Sequence, residues 1–136
     1  MGFQLRIITP NGEFYNGEVD RIFVKTAQGY IGVLKRHIPL VAPIVISKLF
    51  IHNLNGEVEE CALAGGILYV EAHQTRILAN ACECRDQIDI ARAERAAERA
   101  KERLTLRGEN VDIARAELAL QRALNRINVA RGTSDY

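Results

Sequence analysis

Residues 88–96 read IDIARAERA and residues 111–119 read VDIARAELA, so one phrase is written twice, 23 positions apart. Alanine, arginine, glutamate and leucine dominate both copies and the chain around them. All four are good helix formers. From 88 to 131 there is no proline and no aromatic, and the one glycine is Gly108, within LRGEN. The pattern predicts two helices of roughly 18 residues each, joined by a turn at Arg107–Asn110. A turn that short forces an antiparallel hairpin. Asp89 and Asp112 stand where a carboxylate caps free amides and complements the helix dipole. Ile113, Leu120, Leu124 and Ile127 make one apolar seam, opposite Ile88, Ala93, Ala97, Ala100 and Leu104. Alanines allow close approach but bury little area, so the pairing is expected to be marginally stable.

Upstream, the grammar changes. TPNG at 9–12, NG at 16–17, QG at 28–29 and NLNG at 53–56 are turn signals. Between them lie β-rich pieces: FQLRII, VDRIFVKT, YIGVL, KLFIHNL, ILYVEA and TRILANA. Leu5 and Ile7 flank Arg6, the alternation of a half-buried strand, while other runs are apolar on both faces. AGGILY at 64–69 reads as the start of a strand. Many short strands at even spacing suggest an antiparallel sandwich or barrel. Residues 1–85 are therefore expected to form a β-sandwich and residues 86–136 a helical hairpin.

Composition excludes several classes. The chain has 136 residues, 48% hydrophobic and 26% charged, which suits a folded protein of one domain plus an appendage. A formal net charge of +1 and the lack of aromatics interleaved with basic residues argue against nucleic acid. No apolar run is long enough to span a bilayer, and MGFQLR has neither a signal-peptide pattern nor the Ser or Thr that myristoylation requires. Cys61, Cys82 and Cys84 are an odd set without a secretion signal, which suggests reduced thiols. Cys82-x-Cys84 with His73 falls short of four ligands at zinc spacing, so no metal is expected. His37, His52 and His73 join no arrangement that supports catalysis.

The repeat carries a stripe of arginines. Arg92, Arg99 and Arg103 recur as Arg115, Arg122 and Arg126, with spacings of 7 and 4 that keep each triplet on one helix face. A single stripe of this kind is usually a solvated surface. Two stripes facing one groove repel unless an anion sits between them, and a polyphosphate or an acidic partner helix suits guanidinium forks. No GxxxxGK[ST] is present, so a nucleotide would be bound without being hydrolysed.

With these residues in view, the chain resembles the ε subunit of bacterial F-type ATP synthases. The resemblance rests on TPNGEFYNGEV, GYIGVLKRHIPLVAPI and ALAGGILYVEAHQTRILANACE, and on IDIARA, which matches the family's ATP-sensing pattern [I/L]-D-x-x-R-A. It implies a sandwich of about ten short antiparallel strands followed by the two-helix hairpin. It also implies a non-catalytic rotor subunit placed between the γ subunit and the c ring, peripheral to the cytoplasmic face of the bacterial plasma membrane. ATP would be a regulatory ligand, not a cofactor, held by Glu83, Ile88, Asp89, Arg92, Ala93, Arg99, Arg115, Arg122 and Arg126. Without ATP the helices would extend along γ toward the α and β subunits and block hydrolysis. Gln28, Tyr30, Ile31, His37, Ile38 and Leu40 are the implied contacts with the c ring. There the family usually has Pro-Gly before the His of H-x-P, where this chain has Lys35-Arg36. In isolation the chain is expected to be a monomer. A competing reading makes it a purely structural coupling subunit whose arginines pair only with protein.

Overall fold

The computed structural model describes residues 2–106 and 112–132. Seven strands come first: β1 (Phe3–Thr9), β2 (Gly12–Thr26), β3 (Gly29–Leu34), β4 (Leu40–Asn53), β5 (Val58–Val70), β6 (Gln74–Ala79) and β7 (Cys82–Cys84). A single 3-10 turn, Arg85–Gln87, leads into α1 (Ile90–Leu106), and α2 (Ile113–Arg131) follows. The turn expected at Arg107–Asn110 lies outside the described residues.

Neighbouring strands run in the order β1-β6-β5-β4-β2-β3, and β1 also pairs with β2, so the sheet closes into a barrel-like sandwich. Two expectations are corrected. The described residues form seven strands, not ten, because β2, β4 and β5 run 15, 14 and 13 residues and turn corners without ending. The pairing is also not wholly antiparallel: β1 lies parallel to β6, with Leu5 opposite Thr75 and Ile7 opposite Ile77.

The corners have local causes. β5 bends at Gly65 and Gly66, both at positive φ. A Cβ on Gly66 would stand 2.2 Å from the Leu78 carbonyl oxygen, so only glycine lets β6 approach. AGGILY is thus the bend of one strand and not the start of another. Asn16-Gly17 likewise stays within β2, where Gly17 pairs with Leu5. Leu5, Ile7, Ile22, Leu49, Ile51, Leu63, Leu68 and Ile77 fill the barrel and are essentially inaccessible to solvent.

The helices are antiparallel, with Arg131 at the end of α2 paired to Glu94 at the start of α1 (2.6 Å). Their seam departs from expectation. Ala93, Ala97 and Ala100 of α1 are buried as predicted, but α2 contributes Ala116, Ala123 and Ile127, with Leu120 partly buried. Ile113 and Leu124 are 46% and 41% exposed. Alanine facing alanine lets the two backbones close in, and a leucine at 124 in the seam would hold them apart. Ile88 leaves the seam too. It precedes α1 and packs with Ala62 and Val129 against the barrel.

Candidate functional site

Strand alternation builds a platform for the hairpin. Cys61, Leu63 and Cys82 point into the barrel core, and Cys84 packs against it. Between them, Ala62 and Glu83 lie opposite each other across the β5–β7 ladder and face outward.

α2 rests on this surface through polar contacts. Asn125 Nδ2 donates to the carbonyls of Ser47 (2.8 Å) and Leu63 (3.2 Å). Arg126 Nε lies 2.6 Å from Glu83 Oε1. Arg85 pairs with Glu60, and its Nε donates to the Val129 carbonyl (3.0 Å), placing a cation where α2 has free acceptors. Gly132 ends α2 in the left-handed region at φ 69°, and a Cβ there would meet the Arg85 guanidinium at 2.8 Å.

The residues expected to bind ATP fall into three groups. Glu83 and Arg126 are brought together as partners of each other. Ile88 and Ala93 are buried, and Asp89 caps α1, its Oδ1 accepting from the Arg92 amide at 3.1 Å. Asp112 makes the same bond to the Arg115 amide, also 3.1 Å. Arg92, Arg99, Arg115 and Arg122 are exposed, and among the described residues none of the four has a carboxylate partner.

The repeat relates these arginines in pairs, Arg92 with Arg115 and Arg99 with Arg122. A shift of 23 residues carries Ala93, Ala97, Ala100 and Leu104 onto Ala116, Leu120, Ala123 and Ile127. Arg122 and Arg126 face the barrel, lining with Glu83 and Asn125 a cleft of about 20 Å³. Such a cleft holds about one water, so the Arg126–Glu83 pair closes the site. Arg99 lines an open groove between the helices with Glu94, Leu124, Asn128 and Arg131, apart from that cleft.

The residues expected to meet a c ring divide between two places. Gln28 lies in the β2–β3 turn, its amide donating to Thr26 Oγ1 (3.2 Å). Tyr30 donates its hydroxyl to the Lys48 carbonyl (3.1 Å), and Ile31 packs on the core. His37, Ile38 and Leu40 come after the far end of β3, roughly 17–20 Å away at about 3.3 Å per residue. There His37 Nδ1 donates to the Ile38 carbonyl (2.7 Å), Ile38 is 78% exposed and Leu40 opens β4. Arg36 is the one non-glycine at positive φ (68°) among the described residues. It stands at the position where the resemblance expects a glycine, a residue that adopts this region without strain.

Sequence reasoning missed Asn125 and Arg85. Asn125 is one residue from the arginine stripe and carried no periodic signal. Arg85 followed the last strand, where a lone charge reads as solvated.

No described helix is long and apolar enough to cross a membrane. Among the described residues no group of histidine, cysteine and carboxylate side chains could hold a metal. The fold is a closed β-sandwich with a helix pair docked on it by ion pairs and side-chain amides. The chain belongs to the ATP synthase delta/epsilon chain family: residues 2–85 match its β-sandwich domain and residues 86–131 its long α-helix domain. It is thus a non-catalytic subunit of the ε class. It is 43% identical over 101 residues to the ATP synthase epsilon chain of Alkalihalophilus pseudofirmus, covering 74% of this chain and 75% of that one. With the epsilon chain of Halalkalibacterium halodurans it shares 44% over 100 residues, 74% of each. Among solved structures, a chain of the Euglena gracilis mitochondrial ATP synthase (OSCP/F1/c-ring) shares the fold with a TM-score of 0.79 at 21% identity. That match covers 91% of this chain and 78% of the other.

Proposed function

We propose that this subunit binds ATP without hydrolysing it, on the side of the hairpin that faces the barrel, and that the ligand holds the helices docked. Without it, the hairpin extends along γ toward the α and β subunits and blocks ATP hydrolysis. The barrel sits between γ and the c ring, with Gln28, Tyr30, Ile31, His37, Ile38 and Leu40 toward the ring, on the cytoplasmic face of the membrane. The observation that carries this reading is that Arg92, Arg99, Arg115 and Arg122 have no carboxylate partner among the described residues, while Arg126 beside Arg122 already holds one. A triphosphate satisfies them together, and it competes with Glu83 for Arg126. Moving a hairpin from 1% to 99% docked requires about 5.5 kcal/mol of differential binding. Two to four charge-assisted bonds at roughly 1.5–3 kcal/mol each are enough.

A second reading, in which the arginines pair only with protein, draws on the Arg126–Glu83 pair itself. Calorimetric titration of the isolated subunit with ATP separates the two. Asp89→Ala and Asp112→Ala sharpen the test, because each removes an equivalent cap worth about 1 kcal/mol. A larger loss of ATP affinity in Asp89→Ala marks a direct contact. Equal losses mean helix destabilisation, and no heat with the unaltered subunit sinks the ATP reading.

A further inference from the structure

Three cysteines stand on the inner side of the β5–β7 ladder, and the function above uses none of them. Cys61 and Cys84 are directly opposite in register, and their sulfurs lie 2.6 Å apart. Opposed residues of an antiparallel pair have Cα atoms about 4.5–5.5 Å apart, inside the range of about 4.4–6.8 Å that a disulfide spans. A covalent S–S bond is about 2.05 Å, so closure demands little movement. Cys61 is fully buried, whereas Cys84 is partly exposed. Cys84 lines an open cleft of about 290 Å³ with Val58, Glu59, Glu60, Arg85 and Asp86. A small oxidant therefore reaches one sulfur of the pair, and the other waits behind it. Cys82, buried and directly opposite Leu63, stands diagonally from Cys61 and shares a side-chain hydrogen bond with it, but is not in register with it.

The geometry points to Cys61 and Cys84 as a site of reversible oxidation, at which a low-molecular-weight disulfide converts the two thiols into a cross-strand bridge. The Cys84 thiolate attacks one sulfur of R–S–S–R, forming a mixed disulfide and releasing one RS⁻. Cys61 then attacks the Cys84 sulfur and expels the second. The chain gives up two electrons and two protons, and the oxidant leaves as two RSH. The hydrogen bond shared with Cys61, and then burial, hold the Cys84 thiol far above the ordinary cysteine range. The reaction is accordingly slow, and the pair stays reduced until the surrounding poise shifts.

The bridge has a structural consequence. β7 is three residues long, a weak ladder by itself, and carries Glu83 at its centre. Bonding Cys84 to Cys61 fixes Glu83 and Arg85, two of the groups that hold α2. This inference is independent of whether ATP binds.

The test uses the full-length subunit under native conditions with glutathione disulfide, followed by N-ethylmaleimide in denaturant. The expected product lacks about 2 Da, takes one maleimide in place of three, and melts roughly 5–10 °C higher. Cleavage after glutamate separates Cys82 from Cys84, because Glu83 lies between them. It should yield the Cys61 peptide joined to the peptide that begins at Cys84. Cys82→Ser keeps the bridge and Cys84→Ser abolishes it. The peptide map of the unmodified chain decides the matter if a variant fails to fold. Three maleimides, a persistent glutathione adduct, or a bridge through Cys82 each overturn the assignment.

Discussion

The barrel and the hairpin are held by different chemistry. The barrel buries large aliphatic side chains, each contributing about 1.5–3 kcal/mol when removed from water. The hairpin buries mainly alanine methyl groups, and it meets the barrel through one small apolar contact, Val129 with Ala62 and Ile88, and through Asn125, Arg126 and Arg85. The latter contacts are hydrogen bonds and ion pairs, with a small net gain because water competes for the same groups. One region has a fold that its own core determines. The other has a fold that depends on what its polar groups find, which is the property a conditional element needs.

The comparison can be broken most severely from the barrel side. Leu49→Ala empties a fully buried position in the core and is expected to cost about 2–5 kcal/mol in denaturant unfolding. An equally large loss from Ala123→Gly in the hairpin would mean that the two regions are not distinct. Next comes the docking contact. Asn125→Ala leaves the Ser47 and Leu63 carbonyls without their side-chain donor and is expected to weaken docking by about 1–3 kcal/mol. Hydrogen exchange of residues 113–131 should speed up while the barrel strands stay protected, and acceleration in both would show one cooperative unit.

A third change should stabilise. Arg36→Gly relieves a side chain from the left-handed region, worth roughly 1 kcal/mol, and should raise the melting midpoint by a few degrees. The smallest effect is the pH response of His52. Burial, then the charge of Arg21, pushes its pKa below the ordinary 6.5. The unfolded chain therefore binds the proton more readily, so this contribution is present above pH 6.5 and lost as pH falls below it. His52→Phe should flatten that part of the profile, and an unchanged slope would assign it to other groups.

Much of this was legible in the sequence. TPNG, QG and NLNG each fall at a real strand connection, and the repeated IDIARA and VDIARA phrases give both helices, both caps and, apart from Ile88, α1's half of the seam. Asn16-Gly17 and Gly65-Gly66 misled because local turn chemistry was overruled by pairing: β1 keeps Gly17 in a ladder, and β6 comes close over Gly66. The seam of α2 held at Leu120 and Ile127 but failed at Ile113 and Leu124 for a related reason. α2 touches both α1 and the barrel, and a helix with two partners has no single apolar stripe. The arginine face was legible as a pattern. Glu83 came through the resemblance, but its pairing with Arg126 was not legible, since which strand lies beneath Arg126 is a matter of topology.

The parallel pairing of β1 with β6 bears on how the chain is made. A ribosome delivers residues 3–9 early, but the partner that seals them into the barrel is residues 74–79. Until β6 has emerged, β1 has only β2 beside it and its other edge is open. Closure is therefore a late event with a long contact separation, and a nascent chain stalled before β6 exposes a strand edge to its neighbours. β7, which carries Glu83, follows β6 directly in the chain, so the surface on which α2 rests depends on the same late closure.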